Sequence, residues 1–224
     1  MKSTRRTASR AAVRVGRRRR RGAAAAGPYH HGSLREAMLE AAECILERDG
    51  IAALTLRAAA REAGVSHAAP KNHFGDVSGL LSELAALGFA RFGDALVANT
   101  RGGETPRARL AAIGRGYVTF AQRNPGLFLL MFRGERLDFS RPALRGAAEA
   151  AFGVLAGAVG AHGSADTPLS LSQVAQITAA WSLVHGFSML MLDGRLKPLV
   201  ARMPEGTDEM TLLGAILSGP DASC

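Results

Sequence analysis

The stretch LTLRAAAREAGVSHAAPKNHFGD, residues 54–76, places helix formers between residues that begin and end helices. Thr55 stands where its hydroxyl can accept a hydrogen bond from the first amides of a helix. Leu56 to Ala63 contains strong helix formers, and Gly64 tolerates the left-handed backbone that follows many helices. The first half of the stretch therefore predicts a two-turn helix followed by a glycine turn.

The second half predicts another short helix, with small and polar residues on its outer face. Ser66 is its candidate N-cap, Phe74-Gly75 its end, and Asp76 the candidate N-cap of the next helix. Pro70 is compatible with such a helix because amides of the first turn have no intrahelical partner. Two short helices joined by a glycine turn form a helix-turn-helix, whose second helix enters the DNA major groove. We interpret this segment as a DNA contact.

The remainder of the chain also predicts helices. Ser33 precedes Glu36 with capping-box spacing and predicts a helix that ends at Asp49, and the helix after Asp76 extends beyond Phe92. Further helices are predicted over residues 107–123, 127–132, 142–162, 171–192 and 207–218, with N-caps at Ser140, Ser170 and Thr207. The 224 residues are 47% hydrophobic and lack alternating strand patterns, so we predict an all-α fold.

The positive charge is concentrated at the start of the chain. Residues 1–22 contain ten Lys and Arg and no acidic residue, so the net charge of +9 leaves 9 − 10 = −1 for residues 23–224. Such a segment cannot bury a core, and we expect it to be disordered alone. It could follow nucleic-acid phosphates or an anionic membrane surface. A solubilising leader, or a start codon assigned too early, is the other interpretation.

Neither a secretory nor a membrane class is indicated. The two cysteines, Cys44 and Cys224, make no disulfide framework, and the basic segment has no apolar signal core. The longest apolar stretch, residues 177–192, contains His185 and is too short to span a bilayer. We expect a cytoplasmic protein without membrane association.

The sequence does not indicate catalysis or a cofactor. No combination of nucleophile, base and orienting group can be assembled from it, and no phosphate-binding glycine loop is present. His30 and His31 lack a Cys or carboxylate at ligand spacing, which indicates solvated side chains rather than a metal site. We therefore expect no enzyme, no cofactor and no metal.

Residues 34–92 resemble the DNA-binding domain of the TetR family of bacterial transcriptional regulators. The resemblance rests on LREAMLEAAECILERDG (34–50), LTLRAAAREAGVS (54–66), the pair His73-Phe74 and the GLL that follows at 79–81. The stretches YVTFAQRNPGLFLLMF (117–132) and AAWSLVHGFSMLMLDGRL (179–196) resemble a C-terminal domain subtype of the same family, marked by a Trp and a His-Gly pair.

The composition predicts a disordered tail at 1–28, and the resemblance implies a helix-turn-helix domain at 29–78 and an effector-binding and dimerisation domain at 79–224. TetR-like proteins dimerise through their last two long helices, here about 171–192 and 207–218. A two-fold homodimer in turn implies a palindromic DNA operator.

Carried over residue by residue, the resemblance assigns DNA-contacting roles in the first domain. Thr55, Ser66, Lys71 and His73 would contact phosphates, whereas the residues nearest the bases would be His67, Ala68, Ala69 and Asn72. Two positions depart from the family pattern: Tyr is usual at position 71 and Lys is common at 77, where this chain has Lys71 and Val77.

The second domain would bind a small hydrophobic effector. Large or polar-tipped side chains are the candidates for its cavity: Tyr117, Phe120, Phe128, Met131, Phe132, Trp181 and His185. Ordinary core packing is the alternative for each of them.

Three functions remain open from the sequence. We expect a TetR-type transcriptional regulator, a repressor released from its operator by the effector. The alternative is a nonspecific nucleoid-type DNA binder driven by the arginine-rich tail. A third possibility is a helical interaction protein or enzyme scaffold with a vestigial helix-turn-helix that binds no DNA.

Overall fold

The computed structural model describes residues 31–66, 69–101, 105–132, 134–160 and 168–218. All regular elements within these ranges are helices, which confirms the all-α prediction. The predicted disordered tail at 1–28 lies outside the described residues.

The N-terminal part contains α1 (His31–Asp49), α2 (Leu56–Glu62), α3 (Ala69–Phe74) and the long α4 (Val77–Val97). A short 3-10 helix, Ile51–Ala53, lies between α1 and α2.

Local signals set the start of α2, the end of α3 and the start of α4 as predicted. The Thr55 hydroxyl accepts the amide hydrogen of Ala58 at 3.0 Å, and the Asp76 carboxylate accepts that of Gly79 at 2.9 Å. Gly64 and Gly75 have φ angles of 67° and 78°, a backbone region that favours glycine. One of these sharp turns therefore precedes α3, and the other follows its last residue.

The C-terminal part contains α5 (Pro106–Arg123), α6 (Pro125–Phe132), α7 (Pro142–Ala158), α8 (Leu171–Leu192), α9 (Lys197–Val200) and α10 (Glu209–Ser218). Helix α4 packs most extensively on α7 and also on α5 and α6, and α8 packs on α5. One contiguous apolar core extends from Leu34 in α1 to Leu213 in α10. The predicted domain boundary at residue 78 falls in the first turn of α4, so this helix belongs to both parts.

Three predicted N-cap residues are wrong. Ser33 lies inside α1, which already includes His31. Arg141, not Ser140, is the N-cap of α7, because the Ser140 hydroxyl is bonded to Asp138 instead. The remaining case is α10, where the amide of Thr211 donates to Asp208, so Asp208 replaces Thr207 as the cap. In α10 the carboxylate of Asp208, and not the hydroxyl of its neighbour Thr207, therefore caps the helix.

Glycines allow α4 to lie very close to its neighbours. A Cβ atom on Gly116 of α5 would lie within 2.4 Å of the Ala95 carbonyl oxygen. One on Gly88 of α4 would lie 2.7 Å from the sulfur of Met131 in α6. These contacts bring α4, α5 and α6 together around one end of the bundle.

One helix among the described residues, α8, is long and apolar enough by length and composition to cross a membrane. The prediction that this region is too short to span a bilayer is wrong, because it considered only residues 177–192 of a helix that begins, as predicted, at Leu171. Core helices of soluble bundles pass the same test, and α8 packs on α5, with Val184 3.3 Å from the Cβ position of Gly114.

Candidate functional site

Helix α3 has one anchored face and one exposed face. Pro70 and Phe74 are buried, and the Phe74 ring is only 1% exposed. Lys71 and Asn72 are exposed on the other side. The helix therefore presents a cation and an amide to the exterior from a backbone that is fixed to the core.

Three further predicted DNA contacts, Thr55, Ser66 and His73, are among the described residues. Thr55 and Ser66 are exposed, although the Thr55 hydroxyl already accepts a hydrogen bond from α2. His73 is partly buried, with its ring centroid 6.4 Å from that of Phe74. His67, Ala68 and the side chain of Ala69 lie outside the described residues, so their roles stay predictions.

An apolar cavity of about 320 Å³ lies between α4, α5, α6, α7 and α8. This volume falls in the range of small-molecule sites in proteins. Its lining is almost entirely apolar: Phe89, Phe92, Leu96, Tyr117, Met131, Phe132, Phe139, Ala148, Ala151, Phe152, Leu155 and Trp181.

Four of the seven predicted effector residues line this cavity: Tyr117, Met131, Phe132 and Trp181. The other three, Phe120, Phe128 and His185, do not line it. Phe120 and Phe128 are buried in the core behind the wall, where Phe120 packs on Phe92 and Phe128 on Phe132. His185 lies next to the cavity wall and contacts the lining through its hydrogen bond with Tyr117. The sequence does not distinguish an aromatic ring that lines the cavity from one that packs behind the lining.

Sequence reasoning missed the lining contributed by α4, α7 and the segment before α7. These residues are Phe89, Phe92, Leu96, Phe139, Ala148, Ala151, Phe152 and Leu155. The available signal was the row Phe89, Phe92, Leu96 at helical spacing on α4. Helix α7 gave little signal because its contribution consists largely of alanine.

The polar groups of the cavity form a short hydrogen-bonded chain. The indole N–H of Trp181 donates to the Tyr117 hydroxyl at 3.2 Å, and that hydroxyl lies 2.9 Å from Nδ1 of His185. Burial lowers the pKa of His185, which favours the neutral imidazole. Burial also raises the pKa of Tyr117, against the opposing effect of the Trp181 hydrogen bond. A neutral His185 whose Nδ1 carries no hydrogen accepts a hydrogen bond from the Tyr117 hydroxyl.

Aromatic rings pack against the residues of this hydrogen-bonded chain. The ring of Phe92 meets that of Tyr117 edge-on at 4.9 Å between centroids, and Phe132 meets His185 in the same way at 4.9 Å. Edge-on contacts of this kind are favourable for aromatic pairs. The wall is therefore preformed rather than assembled by an occupant.

Among the described residues, no group of three or more His, Cys, Asp or Glu is placed to hold a metal ion.

The fold and sequence were compared with known proteins. A structure described as a protein with unknown function from Rhodococcus sp. RHA1 is 34% identical, covers 85% of this chain and 95% of its own, and superposes with a TM-score of 0.66. Residues 110–212 match the model of the tetracyclin repressor-like C-terminal domain. The chain belongs to the TetR family.

Two further structures share the TetR fold at lower identity. A bacterial regulatory protein in the TetR family from Rhodococcus RHA1 is 18% identical, with 85% and 95% of the two chains covered and a TM-score of 0.58. The transcriptional regulator FadR from Bacillus subtilis, in complex with stearoyl-CoA, is 13% identical, with 82% and 95% covered and a TM-score of 0.57. No protein of curated function matches the sequence. The Trp and His-Gly subtype of the C-terminal domain stays a prediction.

Proposed function

We propose that this TetR-family protein is a cytoplasmic, homodimeric repressor that binds a palindromic operator through α3 and releases it when an uncharged hydrophobic molecule enters the cavity. The observation that carries the proposal is the continuity of α4. Its first turn, capped by Asp76, packs against α3, and its later residues Phe89, Phe92 and Leu96 line the cavity. A shift of this one helix changes both sites.

The cavity chemistry supports an uncharged effector. No Asp, Glu, Lys or Arg is among the described residues that line it. Burying a charged group without a partner is very unfavourable. Stearoyl-CoA, present in the FadR structure, carries phosphates for which this lining has no cation. The Tyr117 hydroxyl and the Trp181 indole, the polar groups of the lining, suit a ligand with a single polar end.

Exposed apolar side chains support a dimer through α8 and α10. Helix α8 buries Ile177, Val184 and Phe187. The apolar residues left exposed on these two helices are Leu171, Val174, Trp181, Leu183, Leu190 and Ile216. Large apolar side chains exposed on neighbouring parts of a chain commonly mark a protein interface when they lie together.

The DNA part of the proposal is tested by selecting bound sequences from a random duplex library with the full chain at near-physiological salt. We expect one palindrome, because a two-fold dimer presents two α3 helices to two half-sites. Bound DNA without sequence enrichment would instead support the nonspecific binder driven by the arginine-rich tail. Absence of binding even at low salt would support the vestigial helix-turn-helix.

The tail is tested separately. Residues 28–78 contain five Lys or Arg and seven Asp or Glu, so this part has little attraction for phosphates of its own. We expect a chain without residues 1–22 to bind the selected operator more weakly and with a flatter salt dependence, since fewer counterions are released. Unchanged affinity and slope would remove the tail from the proposal.

The effector part is tested with a matched pair of ligands, 1-decanol and decanoate. Trp181 is the only tryptophan of the chain and lines the cavity, so its emission reports an occupant directly. We expect decanol to change this emission and to lower operator affinity at concentrations where decanoate does neither. Equal responses to both would contradict an uncharged site.

A further inference from the structure

Arg141 is the N-cap residue of α7, but its side chain does not cap its own helix. The guanidinium instead extends to the carboxyl end of α3 and donates to the carbonyl oxygen of Phe74 at 3.1 Å. This carbonyl belongs to the last residue of the helix that carries Lys71 and Asn72. A side chain from the C-terminal domain is thus bonded to the backbone of the DNA-contact helix.

Two carboxylates fix the guanidinium in this position. Arg141 lies 3.6 Å from Glu83 of α4 and 3.5 Å from Asp138, both measured between nitrogen and oxygen. Glu83 also pairs with Arg35 of α1 at 2.7 Å. A planar guanidinium with five donors suits such a junction of several acceptors.

The packing around this contact is too close to admit a side chain on α4. A Cβ atom on Gly79 would lie 1.9 Å from the Phe74 carbonyl oxygen and 2.6 Å from the Arg141 guanidinium. The end of α3 is therefore held between the first turn of α4 and the Arg141 side chain. Movement of either helix changes the position of the Phe74 carbonyl.

The same α7 helix lines the cavity further along. Ala148, Ala151, Phe152 and Leu155 are lining residues, and they lie on the uninterrupted helix that begins next to Arg141. At about 1.5 Å per residue, these positions are roughly 10 to 20 Å from Arg141. A helix transmits displacement over such a distance without bending much.

We propose that Arg141 is a positioning residue that links the cavity helix α7 to the end of α3, so that the position of α7 sets the orientation of the DNA-contact helix. The inference rests on the proposed function for its consequence in DNA binding. Arg141 and α7 form a second connection between the cavity and α3, in addition to α4. The connection consists of one side chain and can be removed without altering the core.

The test compares Arg141→Met with Arg145→Met in the full chain. Arg145 is exposed and lies one turn further on α7, so it is a matched control for the loss of charge. Arg141→Lys restores the charge with a single donor group. Operator affinity, affinity for random duplex, and the change in Trp181 emission on operator binding are measured for each protein.

We expect Arg141→Met to weaken operator binding about tenfold, as loss of a hydrogen bond to a charged group implies, while random-duplex affinity changes less than about twofold. The operator-induced change in Trp181 emission should fall to less than half, Arg141→Lys should recover part of both, and Arg145→Met should match wild type. Wild-type behaviour of Arg141→Met, or no emission change in a wild-type chain that binds operator, would overturn the link.

Hydrogen exchange of the free protein separates this inference from the proposed function. Arg141→Met should speed exchange in peptides that cover residues 70–80, while peptides of α2 and the thermal midpoint stay at wild-type values. If the chain binds no DNA and this local change occurs, the proposed function fails and the positioning role stands. If exchange over residues 70–80 is unchanged, the positioning role fails whatever the DNA result.

Discussion

The α2–α3 pair and the apolar cavity differ in how far along the chain their stabilising contacts reach. Thr55 and Asp76 each cap a helix through an amide three residues away. In the cavity, Tyr117 is bonded to Trp181 and His185, 64 and 68 residues later. A local contact forms wherever the chain folds into that turn, whereas a distant contact requires the whole bundle. The starts of α2 and α4 are therefore specified locally, whereas the cavity, like the Arg141 contact at the end of α3, is specified by distant parts of the chain.

This comparison predicts the largest loss of stability at a ring behind the cavity. Phe128 is fully buried and contacts Tyr117 and Phe132, so Phe128→Ala should lower the free energy of unfolding by about 3–5 kcal/mol. Phe152 also belongs to the cavity but is 43% exposed, so Phe152→Ala should cost about 1 kcal/mol or less. Urea denaturation measures both. Equal losses would mean that a buried ring behind the lining contributes no more to stability than an exposed lining residue.

Substitutions on α3 should change DNA binding without changing stability. Asn72→Ala should lose about 1–3 kcal/mol of operator binding and relax selectivity at one base position, because an Asn amide reads a base edge. Lys71→Met should weaken binding to all sequences alike and reduce the salt slope by about 1, since it removes one phosphate contact. Titrations at several salt concentrations check both. A shared pattern for the two variants would contradict the separate roles.

Removing a local cap should have a smaller and strictly local effect. Thr55→Ala should lower the free energy of unfolding by about 1 kcal/mol, and Thr55→Ser should recover most of it, because the hydroxyl is what bonds to the Ala58 amide. Ligand-dependent Trp181 emission should not change. Altered emission in the alanine variant would show that α2 is also linked to the cavity, in addition to the links through α4 and Arg141.

The smallest effect concerns pH. Burial lowers the pKa of His185 in the folded state from its ordinary value of 6.5. Below pH 6.5 the unfolded chain therefore binds more protons than the folded one, and stability should decline as pH falls toward the lowered pKa. His185→Gln should flatten this part of the profile of thermal midpoint against pH. A steeper decline in the glutamine variant would contradict a neutral His185.

Residues 54–76 show what sequence could establish. The caps at Thr55 and Asp76 and the turns at Gly64 and Gly75 are local, and each was predicted at its correct position. The same reasoning chose the wrong cap for α7, where the Ser140 hydroxyl bonds to Asp138, and for α10, where Asp208 caps in place of its neighbour Thr207.

Eight of the twelve residues that line the cavity were not predicted, for a different reason. Tyr117 and Trp181 are large residues with polar tips, and their chemistry indicated a site. Ala148 and Ala151 of α7 line the same cavity, but an alanine carries no sign of the surface that it faces. Which helix lies opposite depends on close approaches such as that at Gly116, and these appear only when the bundle is assembled.

The apolar residues exposed on α8, among them Leu171 at 87%, bear on how much of this protein a cell must make. If two copies bury these residues against each other, the folded species is bimolecular and its abundance grows with the square of the free subunit concentration. At low expression most subunits would be single and prone to unfold or to be degraded. Operator occupancy would then rise steeply once synthesis of the protein exceeds a threshold. The number of gene copies would therefore itself regulate operator occupancy.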